Sequence, residues 1–356
     1  MTLRPEDLLD QPPLAPSELT HLEDLARQVL ATSNDVIIVQ AEAILALEGV
    51  ARSVGAQGRV ALNVVTGPYG RVFGQWMREA GSDVIDLASE FDAVVNPDAV
   101  IAAIETHSPS VVAIVHAEAA TGGTNPLGPV LRAAHEHGAV TVVDAVASIG
   151  AEPVLVDDWQ IDIAVIGGQK SLAGPAGVSA VALSAAAWTL IDSTPNAPRG
   201  SSLSLLDWRD GWLRTDRSVI PGMPSWLESR ALIAALERVL AEGLVATNDR
   251  HRQASVATVA GAAELGLSPW QTGGVETLAP VVTALRLPEP GALSDGALGG
   301  IVSPGNGDLR GRLFRVNHTG RAAALDRIVD ALERVAAALD VPADDAVRAA
   351  RAAWER

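Results

Sequence analysis

Short runs of β-branched and apolar residues alternate with longer helical patterns through the first two-thirds of this chain, and that alternation limits the folds open to it. Residues 36–39, 60–65, 84–87, 111–115, 140–143, 163–166 and 178–183 read as strands. Several are apolar almost throughout, as expected of strands covered on both faces. Between them, 43–53, 70–80, 97–106 and 129–137 carry helix-like patterns. Such alternation predicts a mainly parallel sheet with helices on both sides. From about Trp226 the pattern changes. Alanine- and leucine-rich helices (228–242 and 248–265) lead into two strand-like pieces (280–287 and 312–316) and two final helices (321–339 and 344–354). The expected organisation is α/β, with an N-terminal segment 1–24, a large domain 25–235 and a smaller α+β domain 236–356.

Composition removes several functions. The 356 residues are 48% apolar, enough to bury a sizeable core. Twenty-six basic side chains stand against 43 acidic ones, net −17, the wrong sign for a nucleic-acid binder. With no cysteine in the chain, disulfides, thiolate metal sites and a cysteine nucleophile are excluded. Residues 1–16 lack a basic stretch followed by an apolar core, and no apolar run approaches the roughly twenty residues that span a bilayer. A cytoplasmic protein without membrane contact is expected. His135-Glu136-His137 does not read as a metal site, because helix positions two apart point in different directions.

Two residues carry the chemical signal. Lys170 is the only lysine in the chain and follows the apolar run 163–166 within a glycine-rich stretch, Gly167-Gly168-Gln169-Lys170. Asp144 ends another such run, Thr141-Val142-Val143-Asp144. In a parallel sheet, ligands sit beyond the carboxyl ends of strands, so both side chains would face one crevice. Pyridoxal chemistry needs such a pair: an amine to condense with the aldehyde, and a carboxylate to keep the ring nitrogen protonated. The plainer reading is a surface lysine in a loop.

The surrounding residues favour the chemical reading. His116-Ala117-Glu118-Ala119-Ala120-Thr121-Gly122, Asp144-Ala145-Val146-Ala147-Ser148, Gly168-Gln169-Lys170 and Pro175-Ala176-Gly177 together resemble the class V aminotransferases of the alanine–glyoxylate type. That resemblance implies fold type I, with a seven-stranded, mostly parallel sheet and a small C-terminal domain. It implies a small-molecule amine and an oxo acid as substrates, pyridoxal 5'-phosphate as cofactor, and a homodimer with shared active sites. Lys170 would form the aldimine and shuttle the proton, and Asp144 would hold the ring nitrogen. His116 would lie near the ring, or else be a satisfied histidine at a strand end. Tyr69, the only tyrosine, would stack on the ring or serve as a core residue in a tight turn. Gln169 would donate one hydrogen bond to the phosphate. Arg315 would fork onto the substrate carboxylate, which suits a planar guanidinium, or stand as a solvated strand arginine.

The departures concern the phosphate. Relatives cradle it in a loop of small residues and hydroxyls at a helix N-terminus. Here the stretch reads Val39-Gln40-Ala41-Glu42-Ala43-Ile44-Leu45, with no hydroxyl and an acid at the critical position. Two like unit charges ~4 Å apart repel by about 4 kcal/mol at an effective dielectric near 20. The alternative is that Glu42 only complements the helix dipole, at ~0.5 kcal/mol. A Thr-Pro segment common in relatives is replaced by Met223-Pro224-Ser225.

The pattern is similar to that of the pyridoxamine–pyruvate subfamily, which takes unphosphorylated pyridoxamine as a substrate. The resemblance spans roughly residues 25–320. It includes Glu42, Leu62-Asn63 with the 67–70 turn, Asn196-Ala197-Pro198-Arg199 and Ser204-Leu205-Leu206-Asp207-Trp208. It implies pyridoxal or pyridoxamine as a bound substrate rather than a held cofactor. An arginine expected to neutralise the glutamate falls at Asn306, with Arg310 or Arg312 as substitutes. A threonine expected near the ring hydroxyl is Ala119, and the N-terminal Gly-Pro loop is replaced by Pro12-Pro13-Leu14-Ala15-Pro16. Two other readings stay open: a conventional phosphate-bound class V aminotransferase, and a non-catalytic vitamin B6-binding homologue.

Overall fold

A computed structural model describes residues 8–289, 293 and 299–355. The first part of the chain runs α1 (Pro16–Leu30), β1 (Asp35–Val39), α2 (Ala43–Val54), β2 (Val60–Val65), α3 (Pro68–Glu79), β3 (Asp83–Ala88), α4 (Pro97–His107) and β4 (Val111–Val115). A two-residue hairpin, β5 (Ala117–Glu118) and β6 (Gly123–Thr124), precedes α5 (Leu127–Glu136), β7 (Val140–Asp144), β8 (Ile163–Gly167), β9 (Ser179–Leu183), α6 (Ala185–Asp192) and α7 (Leu205–Trp208). The rest comprises α8 (Trp226–Glu242), α9 (Leu244–Glu264), β10 (Val282–Arg286), β11 (Val302–Pro304), β12 (Leu313–Asn317), α10 (Leu325–Ala338) and α11 (Asp344–Trp354).

Seven strands form one sheet in the order β1-β9-β8-β7-β4-β2-β3. The neighbours from β3 through β8 pair in parallel, and only β9 runs against both strands beside it. Strands β4, β8 and β9 are buried along their whole length, which is why their sequences lack a polar alternation. The edge strand β3 is exposed or half-buried throughout. All seven expected strands are present, within a residue at each end. The consequence for function is geometric: β1, β2, β4, β7 and β8 all deliver their carboxyl ends to one side of the sheet.

The second, antiparallel sheet has the order β10-β12-β11. Leu285, Phe314 and Val316 of this sheet pack with Ala262 of α9 and Ala331 and Val335 of α10. β11 and α6 were not anticipated. Neither was α1, most of which lies in the expected N-terminal segment. Its apolar positions Leu19, Leu22, Ala26 and Val29 follow helical spacing and are buried. Glu18 closes its first turn by accepting from Ala15 N at 3.0 Å. Buried Glu23 ties α1 to the segment after α7, accepting from Trp212 Nε1 and from Arg217 Nε at 2.9 Å.

Candidate active site

Five strand ends meet at one cavity of about 120 Å³. Its wall contains Glu42, Ile44 and Leu47 after β1, Tyr69 after β2, Ala117 and Ala119 after β4, Asp144 and Val146 from β7, and Gln169 and Lys170 after β8. The topology therefore brings together residues more than a hundred positions apart, at the place where an open α/β sheet binds ligands.

Lys170 sits in a tight turn closed by Ala173 N donating to Lys170 O at 3.0 Å and Gly174 N donating to Gly168 O at 2.7 Å. The turn needs Ala173 in the left-handed region, φ 51°. Burial lowers the lysine's pKa, and the neighbouring Arg315 charge lowers it further, so more of the amine is neutral and nucleophilic. Burial pushes Asp144 the other way, up to about 6, against the lowering effects of the Val146 N–H and the Lys170 charge. One oxygen, Oδ1, accepts from Val146 N at 3.0 Å. At neutral pH the carboxylate is thus mostly ionised and held by its own backbone.

The opposite end of the cavity is built around Glu42. It is the N-cap of α2, and its Oε2 accepts from Ile44 N at 3.1 Å. Its Oε1 accepts from Gln169 Nε2 in a short hydrogen bond. Glu42 therefore both caps the helix and lines the cavity. A helix N-terminus that binds anions in related sites already has one here, supplied by the chain itself. Among the described residues lining this cavity none is serine or threonine. Ser225 instead donates its N–H to Gln40 Oε1 at 2.9 Å and caps α8. Arg312 lies over Trp270, 5.0 Å from the ring centroid. Asn306 caps a single helical turn at Gly307–Leu309.

Tyr69 lines the cavity from the first turn of α3 and remains 37% exposed. Asn63 holds that turn by donating to Gly70 O at 2.9 Å, which accounts for the Leu62-Asn63 signal. Asn125 adds a second tie, donating to Thr66 Oγ1 at 2.8 Å. Arg315, half-buried on β12, reaches the cavity wall through Ala119 O (3.4 Å) and also donates to Pro304 O (3.0 Å). Its Nε is buried without a partner. His116 differs from the position near the ring expected of it. Ala117 and Ala119 line the cavity, whereas His116, at the bend between β4 and β5, is buried edge-on against Trp159 with ring centroids 5.8 Å apart. Burial drops its pKa to about 4, so it is neutral. Glu118 had no prominence in the sequence reading, although its carboxyl is fully buried beside the site. The signal available was an acid among three alanines.

The sheet order and the lysine–aspartate pair at adjacent strand ends define a fold type I enzyme of the pyridoxal-dependent class. The family model for class V aminotransferases matches residues 20–207, and this chain belongs to that family. It is 32% identical over 324 residues to a pyridoxamine–pyruvate transaminase of Mesorhizobium japonicum, covering 89% of this chain and 82% of that one. The solved structure of pyridoxamine–pyruvate aminotransferase from Mesorhizobium loti superposes with a TM-score of 0.90 at 30% identity, covering 99% of this chain and 94% of that one. The ureidoglycine–glyoxylate aminotransferase of Bacillus subtilis gives a TM-score of 0.88 at 25% identity, covering 98% and 94%.

The family's pyridoxal group fits this cavity: an amine, a carboxylate and apolar walls are present together. At its far end a carboxylate occupies the helix terminus.

Proposed function

We propose that the protein is a transaminase that exchanges amino and oxo groups between unphosphorylated pyridoxamine and a small oxo acid such as pyruvate. The observation that carries this reading is Glu42, whose carboxylate caps α2, bonds Gln169 and lines the cavity at once. A phosphate dianion placed there would meet a like charge, worth about 4 kcal/mol at ~4 Å, whereas the hydroxymethyl group of pyridoxamine can donate to it.

Bound pyridoxal or pyridoxamine supplies an electron-withdrawing ring through which amino and carbonyl groups are exchanged. Lys170 provides the amine and, freed, moves a proton between the two carbon atoms at which exchange occurs. Burial lowers its pKa, which favours the neutral amine that both tasks need. Asp144, fixed by Val146 N, keeps a negative charge for the protonated ring nitrogen. Tyr69 would cover one face of a bound ring, and Ala117, Ala119 and Val146, which line the cavity with it, would exclude water. Arg315 holds the oxo-acid carboxylate. Leu45, Tyr69 and Met223 are exposed apolar residues, in keeping with a homodimer that completes the site between two copies.

The test is turnover of the purified protein with pyridoxamine and pyruvate, following pyridoxal by absorbance and alanine by chromatography. Equal formation of both, without added phosphate ester, is the expected result. Transfer from alanine to glyoxylate only in the presence of pyridoxal 5'-phosphate would assign the conventional family activity instead.

A further inference from the structure

Glu118 is a buried acid for which the reaction above has no task. It is 1% exposed, and neither carboxyl oxygen has a hydrogen-bond partner among the described residues. The N–H groups of Ala120 and Tyr69 lie near enough to favour its ionised form, yet neither makes a formed hydrogen bond with it. Burial and the nearby Asp144 carboxylate push it up to about 8 despite these groups and the Lys170 charge. At neutral pH it is mostly a neutral acid, which is how two carboxyl groups can share one region.

Its position is more telling than its charge. A Cβ added to Gly67 would fall 2.2 Å from Glu118 Cδ and 2.3 Å from Oε2. Gly67 is the N-cap of α3 and has φ −175°, an extended conformation open to any residue. A side chain at position 67 would therefore have to displace the Glu118 carboxyl from its seat, while the backbone itself admits any residue. Ala117 and Ala119, on either side of Glu118, line the cavity, and Glu118 packs behind them against the turn that presents Tyr69.

We propose that Glu118 is the positioning residue for Tyr69: seated against Gly67, it fixes the first turn of α3 and so sets how Tyr69 stands over the Lys170–Asp144 pair. The inference rests on the proposed function for its ligand, and not for its geometry. Asn63 and Asn125 tie the turn through Gly70 O and Thr66 Oγ1, and Glu118 is the side chain packed on Gly67 itself. Truncating it opens a void behind the turn. A glutamine of the same shape keeps the contact and carries no charge.

The test is a double-mutant cycle on pyridoxal binding, read from the absorbance change on titration, with wild type, Glu118→Ala, Tyr69→Ala and the double variant. Residues that act through one another are non-additive. Glu118→Ala is expected to weaken binding about tenfold and to raise the KM for pyridoxamine more than it lowers kcat. In the Tyr69→Ala background the same change should cost less than twofold. Glu118→Gln should stay within threefold of wild type, and Gly67→Ala should reproduce the loss seen with Glu118→Ala.

Additive effects in the cycle, or a Glu118→Gln as impaired as Glu118→Ala, would overturn the proposal. Melting of each ligand-free variant identifies any that do not fold. In that event the Glu118→Gln and Gly67→Ala comparison decides alone. If wild type responds only to pyridoxal 5'-phosphate, the substrate reading fails, and the same cycle run with that compound still tests Glu118.

Discussion

The two ends of the cavity are made of the same materials and put to opposite uses. At one end Asp144 accepts a single backbone N–H and turns its remaining capacity toward the ring site, beside an amine whose pKa burial has lowered. At the other, Glu42 spends its oxygens on Ile44 N and Gln169, closing the helix terminus that an anion would otherwise take. On the proposed reading, the first carboxylate serves a protonated ring nitrogen and the second disfavours a phosphate. Residues after β7 and β8 would then set the chemistry, and those after β1 what can enter. The segment with the most discriminating sequence signal packs on the second group. Ser204 caps α7, Arg199 pairs with Asp210 at 2.8 Å, and Leu203 O lies against Gly49 of α2, the helix that Glu42 caps.

The largest expected effect breaks the chemical end alone. Lys170→Ala should lower transaminase turnover by roughly 10⁴-fold or more and abolish any borohydride-trapped side-chain adduct, since no other lysine exists to replace it. A side-chain adduct remaining in the peptide map would contradict its role.

Asp144→Asn is next, with a kcat loss of about 10²–10³-fold. It also sharpens the comparison through stability. Burial raises Asp144 to about 6 from 3.8, so folding favours its protonated form. That contribution is complete below the unfolded value and is lost as pH rises past about 6. The asparagine variant, uncharged throughout, should therefore melt higher than wild type at pH 8, with the gain shrinking toward pH 5. Calorimetry of the ligand-free proteins checks the sign.

Glu42→Ser breaks the other end. Serine still caps α2, so the fold and the pyridoxal response should persist while pyridoxal 5'-phosphate binding improves about 10²-fold, as removal of a repulsion of a few kcal/mol implies. An unchanged ratio of the two affinities would mean that Glu42 does not face the phosphate position. The Glu118 cycle is expected to give the smallest effect, about tenfold.

Much of this was legible in the chain. The seven apolar runs of the large sheet carry their burial in their composition, and Lys170 and Asp144 are marked by the strands they follow. Glu42 was visible as an acid where hydroxyls were expected. What could not be read was contact between distant segments. Whether Glu42 capped the helix or faced the cavity depended on Gln169, 127 positions away. His116, expected near the ring or as a satisfied histidine at a strand end, packs on Trp159 while Ala117 and Ala119 line the cavity. Arg312, one of the two arginines that could have stood in as a partner for Glu42, stacks on Trp270. α1 was missed because its polar, proline-rich start masked a helical spacing that becomes clear only against the core it covers.

The central claim is that the cavity receives an unphosphorylated ring. It is tested most directly by titrating the purified protein in parallel with pyridoxal and pyridoxal 5'-phosphate, trapping each with borohydride and mapping the adduct. The account predicts saturation by pyridoxal at a concentration at least tenfold lower than by the phosphate ester, with the reduced adduct on Lys170. Saturation by the phosphate ester alone, or tighter binding of it, would contradict the account.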